Sequence, residues 1–153
     1  MRLLDIALIV TLAVFSAACS QLVKSIFSSP TEPSASGDVR SYLGTWTGVT
    51  AAAPVAQSCG GLQWKITSQT GGQAGGDFSA ACADEVSLVG TMTATHGETS
   101  IPWAATGMAT KGTATCPFSM TGIGTFQGTS NILVSYAGTS CNGPVSGTET
   151  IKR

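Results

Sequence analysis

After about residue 41, large apolar residues alternate with small or polar ones, which is the two-residue period of a β-strand. The clearest case is the segment 62–67, where Leu62, Trp64 and Ile66 alternate with polar neighbours. The same pattern predicts strands at 43–48, 62–67, 78–82, 86–94, 101–105, 116–127, 132–136 and 145–152. Segments rich in glycine and polar residues at 70–76, 96–98 and 128–131 predict the turns between them. No segment of this region has the 3.6-residue period of an amphipathic helix.

Eight short strands joined by turns predict an all-β domain, an antiparallel up-and-down meander. Such a sheet removes its two unpaired edges by closing into a small barrel. A β-sandwich is the alternative that the strand pattern leaves open. Aromatic residues lie on nearly every predicted strand, as is needed to fill the interior of a small barrel: Trp46, Trp64, Phe78, Trp103, Phe118, Phe126 and Tyr136.

The first predicted strand carries the motif Gly44-Thr45-Trp46. This motif resembles the first-strand signature of the calycins, the lipocalins and avidin-like barrels. In those families the tryptophan plugs one end of the barrel and a basic residue of the last strand packs across it. The resemblance implies that Trp46 is such a plug and that Arg153, or its neighbour Lys152, covers it. The residues that follow Trp46 depart from the avidin pattern, so the resemblance does not imply a biotin site.

The N-terminal segment has the features of a secretory signal peptide, residues 1–18. A basic residue, Arg2, precedes an apolar run of about 13 residues, which is too short to span a bilayer comfortably. Ser16-Ala17-Ala18-Cys19 resembles a bacterial lipobox, which implies a lipidated Cys19 as first residue of the mature chain and an attachment to the membrane through that lipid. Cleavage at the same bond by ordinary signal peptidase, without lipidation, is the alternative. By resemblance to Gram-negative sorting rules, Ser20 implies the outer membrane, with the protein facing the periplasm or the cell surface.

Residues 19–40 are rich in serine and proline and carry no strand or helix signal. We therefore expect a flexible tether there, followed by one β-barrel domain at 41–153. Only 10% of the residues are charged and the formal net charge is -1. Without a basic patch, nucleic-acid binding is not expected.

Four cysteines follow Cys19, and an even number in an exported domain predicts two disulfides. Cys59 and Cys82 lie at nearly equal distances from the glycine-rich turn near residue 70. Cys116 and Cys141 lie in the same way about the turn near residue 128. Residues equidistant from a hairpin turn face each other, so we predict the bridges Cys59–Cys82 and Cys116–Cys141.

The residues that carry enzyme chemistry are sparse. His96 is the one histidine, in a predicted turn, and no Gly-x-Ser-x-Gly elbow accompanies it. The adjacent pair Asp84-Glu85 is typical of a polar turn, because neighbours in a strand point to opposite faces. Phosphate-binding glycine motifs and closely spaced metal ligands are absent from the sequence. The sequence therefore predicts a protein that is not an enzyme and has neither a cofactor nor a metal.

Binding is the remaining class of function, and two binding hypotheses stand beside a third that is not one. The first is a lipid-anchored envelope protein that holds a small apolar ligand in its barrel, lined by Trp64, Trp103, Phe118 and Tyr136. The second is an interaction or inhibitor module with a filled barrel, which binds a protein partner through its surface. The third is an enzyme, in which Asp84, Glu85 or Glu98 converges on His96.

Overall fold

The computed structural model describes residues 41–50, 55–140 and 142–153. The predicted leader, the tether and Cys19 lie outside the described residues, as does Cys141. The described residues form eight strands: β1 (Gly44–Gly48), β2 (Cys59–Thr70), β3 (Gln73–Cys82), β4 (Val86–Thr95), β5 (Ser100–Lys111), β6 (Ala114–Gln127), β7 (Asn131–Ser140) and β8 (Gly143–Lys152). A short 3-10 turn at Ala83–Glu85 joins β3 to β4.

The eight strands form a closed antiparallel barrel in which each strand pairs with the next and β1 pairs with β8. The predicted all-β meander and its closure into a barrel are confirmed, and the sandwich alternative is wrong. Eight strands enclose a space that side chains can fill. The polar and apolar alternation places the apolar side chains inside, where they form one core.

Two turns and one strand pair differ from the sequence prediction. The glycine-rich segment predicted as a turn at 70–76 turns only at Gly71 and Gly72, and β3 begins at Gln73. Strands β5 and β6 meet at a tight turn around Gly112, so that residues 106–115 belong mostly to strands. The pattern missed this part because glycine, alanine and threonine predominate there, and no large apolar residue marks the inward face.

Inward-facing glycines lie directly across from inward-facing aromatic residues. Gly107 on β5 pairs with Phe118 on β6, and Gly122 on β6 pairs with Trp103 on β5. A Cβ atom at Gly107 would come within 2.9 Å of the Phe118 ring, and one at Gly122 within 2.7 Å of the Trp103 indole nitrogen. Because no side chain occupies these positions, each aromatic ring has room to pack against the neighbouring strand. The glycines are therefore the reason why large rings fit in a narrow barrel.

The first predicted disulfide is confirmed. Cys59 begins β2, Cys82 ends β3, and the two residues are direct partners across the hairpin with their sulfur atoms bonded. This bridge ties the start of β2 to the end of β3 at the end of the barrel opposite the Gly71 turn. The second predicted bridge stays a prediction, because Cys141 lies outside the described residues.

Candidate functional site

The four residues predicted to line a ligand cavity are all inside the barrel. Trp64, Trp103, Phe118 and Tyr136 are between 2% and 4% exposed. The Trp64 and Trp103 rings are 5.2 Å apart, and Phe78 lies 5.8 Å from both the Trp103 ring and the Phe118 ring. The rings thus pack on one another and fill the centre of the barrel.

Little space remains beside this aromatic column. The small hollow that touches Trp64 measures about 10 Å³, and the surface that lines it is apolar. A void of this size is at the lower limit for a single water molecule. The predicted residues are therefore brought together, but in the described structure they form a packed core instead of an open ligand cavity.

Two of the buried rings have an unpaired polar atom. The indole nitrogens of Trp64 and Trp103 are buried, and neither has a hydrogen-bond partner among the described residues. Trp46 differs, because its indole N–H donates to the Tyr42 carbonyl over 2.8 Å. An unpaired buried donor costs about 1–3 kcal/mol. The two central tryptophans are therefore held by packing alone.

The end of the barrel that contains Trp46, here called the Trp46 end, is covered from outside by Arg153. Trp46 is 3% exposed, and the Arg153 guanidinium lies over its ring, 5.6 Å from the ring centre. Arg153 also donates to the carbonyls of Ser41 and Leu43, both over 3.1 Å. Arg153, and not the alternative Lys152, makes this contact. It joins the last residue of the chain to the segment that leads into β1.

His96 lies at the same end of the barrel as Trp46. The carboxylates of the β3–β4 turn lie far from it. Its Nδ1 atom hydrogen-bonds with the Tyr42 hydroxyl, and the two rings are 5.2 Å apart. Asp84 and Glu85 lie in the turn before β4, whereas His96 follows β4. The ten residues of β4 separate the two sites by about 33 Å along the strand. The structure therefore does not bring Asp84 or Glu85 to His96.

The opposite end, here called the Cys59 end, is held by side chains that reach across the barrel. The Tyr136 hydroxyl on β7 donates to the Cys59 carbonyl, and it accepts from the Cys59 N–H over 2.7 Å. Tyr136 is inward-facing and 4% exposed. A Cβ atom at Gly147, the partner of Tyr136 on β8, would clash with the phenol group. The glycine therefore makes room for the hydroxyl to reach β2.

Glu149 on β8 makes the second such contact. Its carboxylate accepts from the Gly61 N–H over 3.0 Å and from the Leu62 N–H over 2.8 Å. Glu149 is 3% exposed and is the only buried charged side chain among the described residues. A carboxylate with two main-chain donors is well satisfied in a buried site. Glu149 and Tyr136 together replace the strand pairing that β1 is too short to provide between β8 and the start of β2.

The two residues also affect each other electrostatically. Burial raises the pKa of the Tyr136 hydroxyl above its usual value of 10.0, and the neighbouring Glu149 charge raises it further. The hydrogen bond with Cys59 opposes part of this rise. Tyr136 therefore stays protonated and able to donate at neutral pH.

A groove lies in the barrel wall outside these contacts, between β8 and the segment that precedes β2. It measures about 400 Å³. Tyr136 and Glu149 form its inner side, and its outer walls come from Val55–Gly60 and Ser146–Thr148. Of the four predicted ligand residues, Tyr136 borders this groove.

A second hollow, of about 250 Å³, lies beside the plug at the Trp46 end. Ser41, Trp46, Phe126, Thr129 and Arg153 surround it. Ser41 is the first described residue, so this hollow adjoins the point where the described chain begins.

Metal ligands and membrane-spanning helices were sought in the same residues. Within 41–50, 55–140 and 142–153, no three His, Cys, Asp or Glu side chains are grouped so as to hold a metal ion. The described part of the chain contains no helix with the length and hydrophobicity of a membrane span. Comparison with known proteins gave no matching family model, no similar curated protein and no similar solved structure.

Sequence reasoning missed Glu149 as a site residue, although the sequence contains a signal for it. Glu149 lies two residues before Ile151 and four after Val145, so the strand period places its side chain inside the barrel. A lone acid at an inward position needs partners, because burying a free charge is costly. Those partners are main-chain N–H groups nearly 90 residues earlier, which no local pattern could indicate.

Proposed function

We propose that this protein is a lipid-anchored component of the bacterial cell envelope that binds another protein through its outer surface. The anchor rests on the lipobox-like Ser16–Cys19, and Ser20 favours the outer membrane. Two acyl chains or more are needed for stable attachment to a membrane, and a lipidated Cys19 would provide them.

The observation that carries the binding mode is the filled barrel. The aromatic column of Trp64, Phe78, Trp103 and Phe118 occupies the interior, and about 10 Å³ of void remains beside it. A carrier of small apolar molecules needs a cavity of several hundred cubic ångströms. A module that acts through its surface needs only a rigid scaffold, which the packed core and the disulfide supply.

A second candidate, a carrier for a small apolar ligand, is favoured by one observation. The indole N–H groups of Trp64 and Trp103 have no acceptor among the described residues. An amphiphile with a hydrogen-bond acceptor would satisfy them if the rings separated to admit it. This opening would have to undo the packing of the core.

Two measurements on the protein in its own cells test the proposal. Native mass spectrometry of the mature protein from its membrane should show acyl chains on Cys19 and no further releasable molecule. A photo-crosslinking residue should be placed in turn at the outward-facing positions Thr67, Thr93, Thr121 and Ser146. At least one position should form a single protein adduct. A releasable ligand together with four positions that yield no adduct would contradict a surface-binding function and favour the carrier.

A further inference from the structure

The outward side of β1 lies between two lysines. Trp46 points into the barrel, so its neighbours Thr45 and Thr47 point outward, and both are exposed. Lys65 on β2 is the direct partner of Thr45, and Lys152 on β8 is the direct partner of Thr47. Both lysines are exposed. Two strand spacings and a two-residue offset separate their Cα atoms by about 12 Å, so the two ammonium groups border one small patch of surface.

The rest of this patch is basic or apolar. Arg153 is exposed at its edge and donates to the Leu43 carbonyl, and the Leu43 side chain is 46% exposed. Asp77, the partner of Lys65 on β3, offsets one of the three positive charges. The patch, here called the β1 face, consists of Leu43, Thr45, Thr47, Lys65, Lys152 and Arg153.

The other charges of the described chain lie elsewhere on the barrel. Three of the four lysine and arginine residues that the structure describes belong to the β1 face. The fourth, Lys111, ends β5, which is the strand opposite β1 in the closed order of eight. The acids Asp84 and Glu85 lie in the β3–β4 turn, Glu98 lies in the β4–β5 turn, and Glu149 is buried. Positive charge is therefore concentrated on the β1 side.

The predicted lipid tether leads into the same side. It reaches the barrel at Ser41, whose carbonyl accepts from Arg153. Even when fully extended, residues 20–40 span at most about 75 Å. This length keeps the barrel near the membrane but does not determine which side faces it. An orientation requires an attraction between one side and the lipid, and a weak attraction is sufficient because the tether confines the barrel.

We propose that the β1 face docks on an anionic phospholipid surface, so that the anchored barrel lies with β1 towards the membrane and β5 away from it. The proposal rests on the lipid anchor of the proposed function and specifies its orientation. Each lysine or arginine close to an anionic bilayer contributes roughly fivefold to the ratio of bound to free protein. Leu43 adds apolar contact with the interface. The short threonine side chains of β1 let the longer lysine side chains reach the headgroups.

The test uses the lipidated protein from its own membrane, reconstituted in nanodiscs that carry a gadolinium chelate on some headgroups. The chelate broadens the NMR signals of amides close to the bilayer. In discs with added phosphatidylglycerol, we expect the Thr45, Thr47 and Lys65 signals to broaden and the Thr106 signal of β5 to stay sharp. In discs of phosphatidylcholine alone, the four signals should broaden equally. Equal broadening in both kinds of disc would overturn the proposal.

Charge variants identify the residues responsible. Lys65→Gln combined with Lys152→Gln keeps two long polar side chains and removes both charges, so the ratio of docked to free protein should fall roughly 25-fold. Lys111→Gln on β5 is the matched control and should leave this ratio unchanged. A fall per charge that is as large for Lys111→Gln would show that only net charge matters, and it would refute docking by the β1 face.

Ionic strength provides a test that requires no variant. The distance over which exposed charges interact falls from about 8 Å at physiological salt to about 3 Å at 1 M. At high salt, the broadening of the β1 signals in anionic discs should therefore fall to that of Thr106, and it should return on dilution. Selective broadening that survives high salt would contradict docking by charge.

The anchor, the docking and the surface function can fail separately. Cys19 without acyl chains in the native mass spectrum would refute the anchor. An acylated Cys19 with equal broadening on β1 and β5 would keep the anchor and refute the docking. In cells, a photo-crosslinking residue at Thr67, two residues after Lys65, should give no protein adduct, whereas Thr93 or Thr121 should give one. An adduct at Thr67 alone would keep the surface function and overturn the docking, because a protein would lie where we expect lipid.

Discussion

The barrel is closed in two different ways at its Trp46 end and its Cys59 end. At the Trp46 end, β1 pairs by its main chain with both β2 and β8, and Arg153 covers the plug from outside. At the Cys59 end, β1 has ended, and the buried side chains of Tyr136 and Glu149 bond to the main chain of β2. One end is closed by strand pairing and the other by side chains.

The difference shows what side chains can and cannot replace in a barrel. Tyr136 and Glu149 satisfy the main chain of β2, but each side chain bonds only the N–H and C=O groups within its reach. The closure by side chains should therefore be sensitive to single substitutions, whereas the closure by strand pairing should tolerate the loss of one side chain.

The largest effect is expected for Glu149→Ala. The substitution leaves the buried N–H groups of Gly61 and Leu62 without acceptors, and we expect a loss of about 3 kcal/mol in the free energy of unfolding. Chemical denaturation followed by tryptophan fluorescence measures it. Glu98→Ala, in the exposed β4–β5 turn, is the control and should change stability by less than about 0.5 kcal/mol. Equal effects of the two substitutions would show that the Glu149 contacts do not hold the Cys59 end.

Tyr136→Phe should cost about 2 kcal/mol, because the Cys59 N–H and C=O lose their shared partner. The variant also tests the pKa. A tyrosine whose pKa is raised on folding contributes its full stability below the pKa of a free tyrosine, about 10, and loses it as the pH rises further. The difference in unfolding free energy between parent and variant should therefore be constant below pH 10 and shrink above it. A difference that grows above pH 10 would contradict the assigned direction of the shift.

At the Trp46 end, Arg153→Ala should cost about 1 kcal/mol. Arg153 is exposed, and its stacking on Trp46 and its bonds to two carbonyls are screened by water. Strand pairing holds this end in its absence. Arg153→Lys keeps the charge but not the planar group, and it should recover only part of the loss. A loss as large as that of Glu149→Ala would mean that both ends depend on side chains.

The smallest effect is expected for Trp103→Phe. It removes an indole N–H that has no partner among the described residues. The lost packing is therefore partly offset, and we expect a change within about 1 kcal/mol in the free energy of unfolding. Trp46→Phe removes an N–H that bonds to the Tyr42 carbonyl and should be clearly more destabilising. Thermal unfolding of both variants makes the comparison. If Trp103→Phe costs more than Trp46→Phe, the indole of Trp103 has an acceptor in solution.

Much of the fold could be predicted from local pattern. The alternation of apolar and polar residues located the strands, because each strand has one buried face. The pairing of Cys59 with Cys82 could be predicted because the hairpin turn sets which residues of β2 and β3 lie opposite each other. The contacts of Tyr136 and Glu149 with the main chain of β2 could not be predicted in this way, because their partners lie far away in the sequence.

The filled interior was equally hidden from the sequence. Trp64, Trp103, Phe118 and Tyr136 are inward-facing in a packed barrel and in a hollow one, so their positions do not distinguish the two. The deciding residues are Gly107 and Gly122, because their missing side chains leave room for the rings of Phe118 and Trp103. The sequence shows these glycines, but their aromatic partners are defined only by the register of β5 and β6.

The most direct test of the account is an NMR titration of the indole N–H signals with dodecanoate, an apolar chain that carries a hydrogen-bond acceptor. In a filled barrel, the signals of Trp64 and Trp103 should not change at micromolar ligand. Saturable shifts of both signals, with Trp46 unchanged, would show that the core opens to a ligand and would contradict the central claim that this protein acts through its surface.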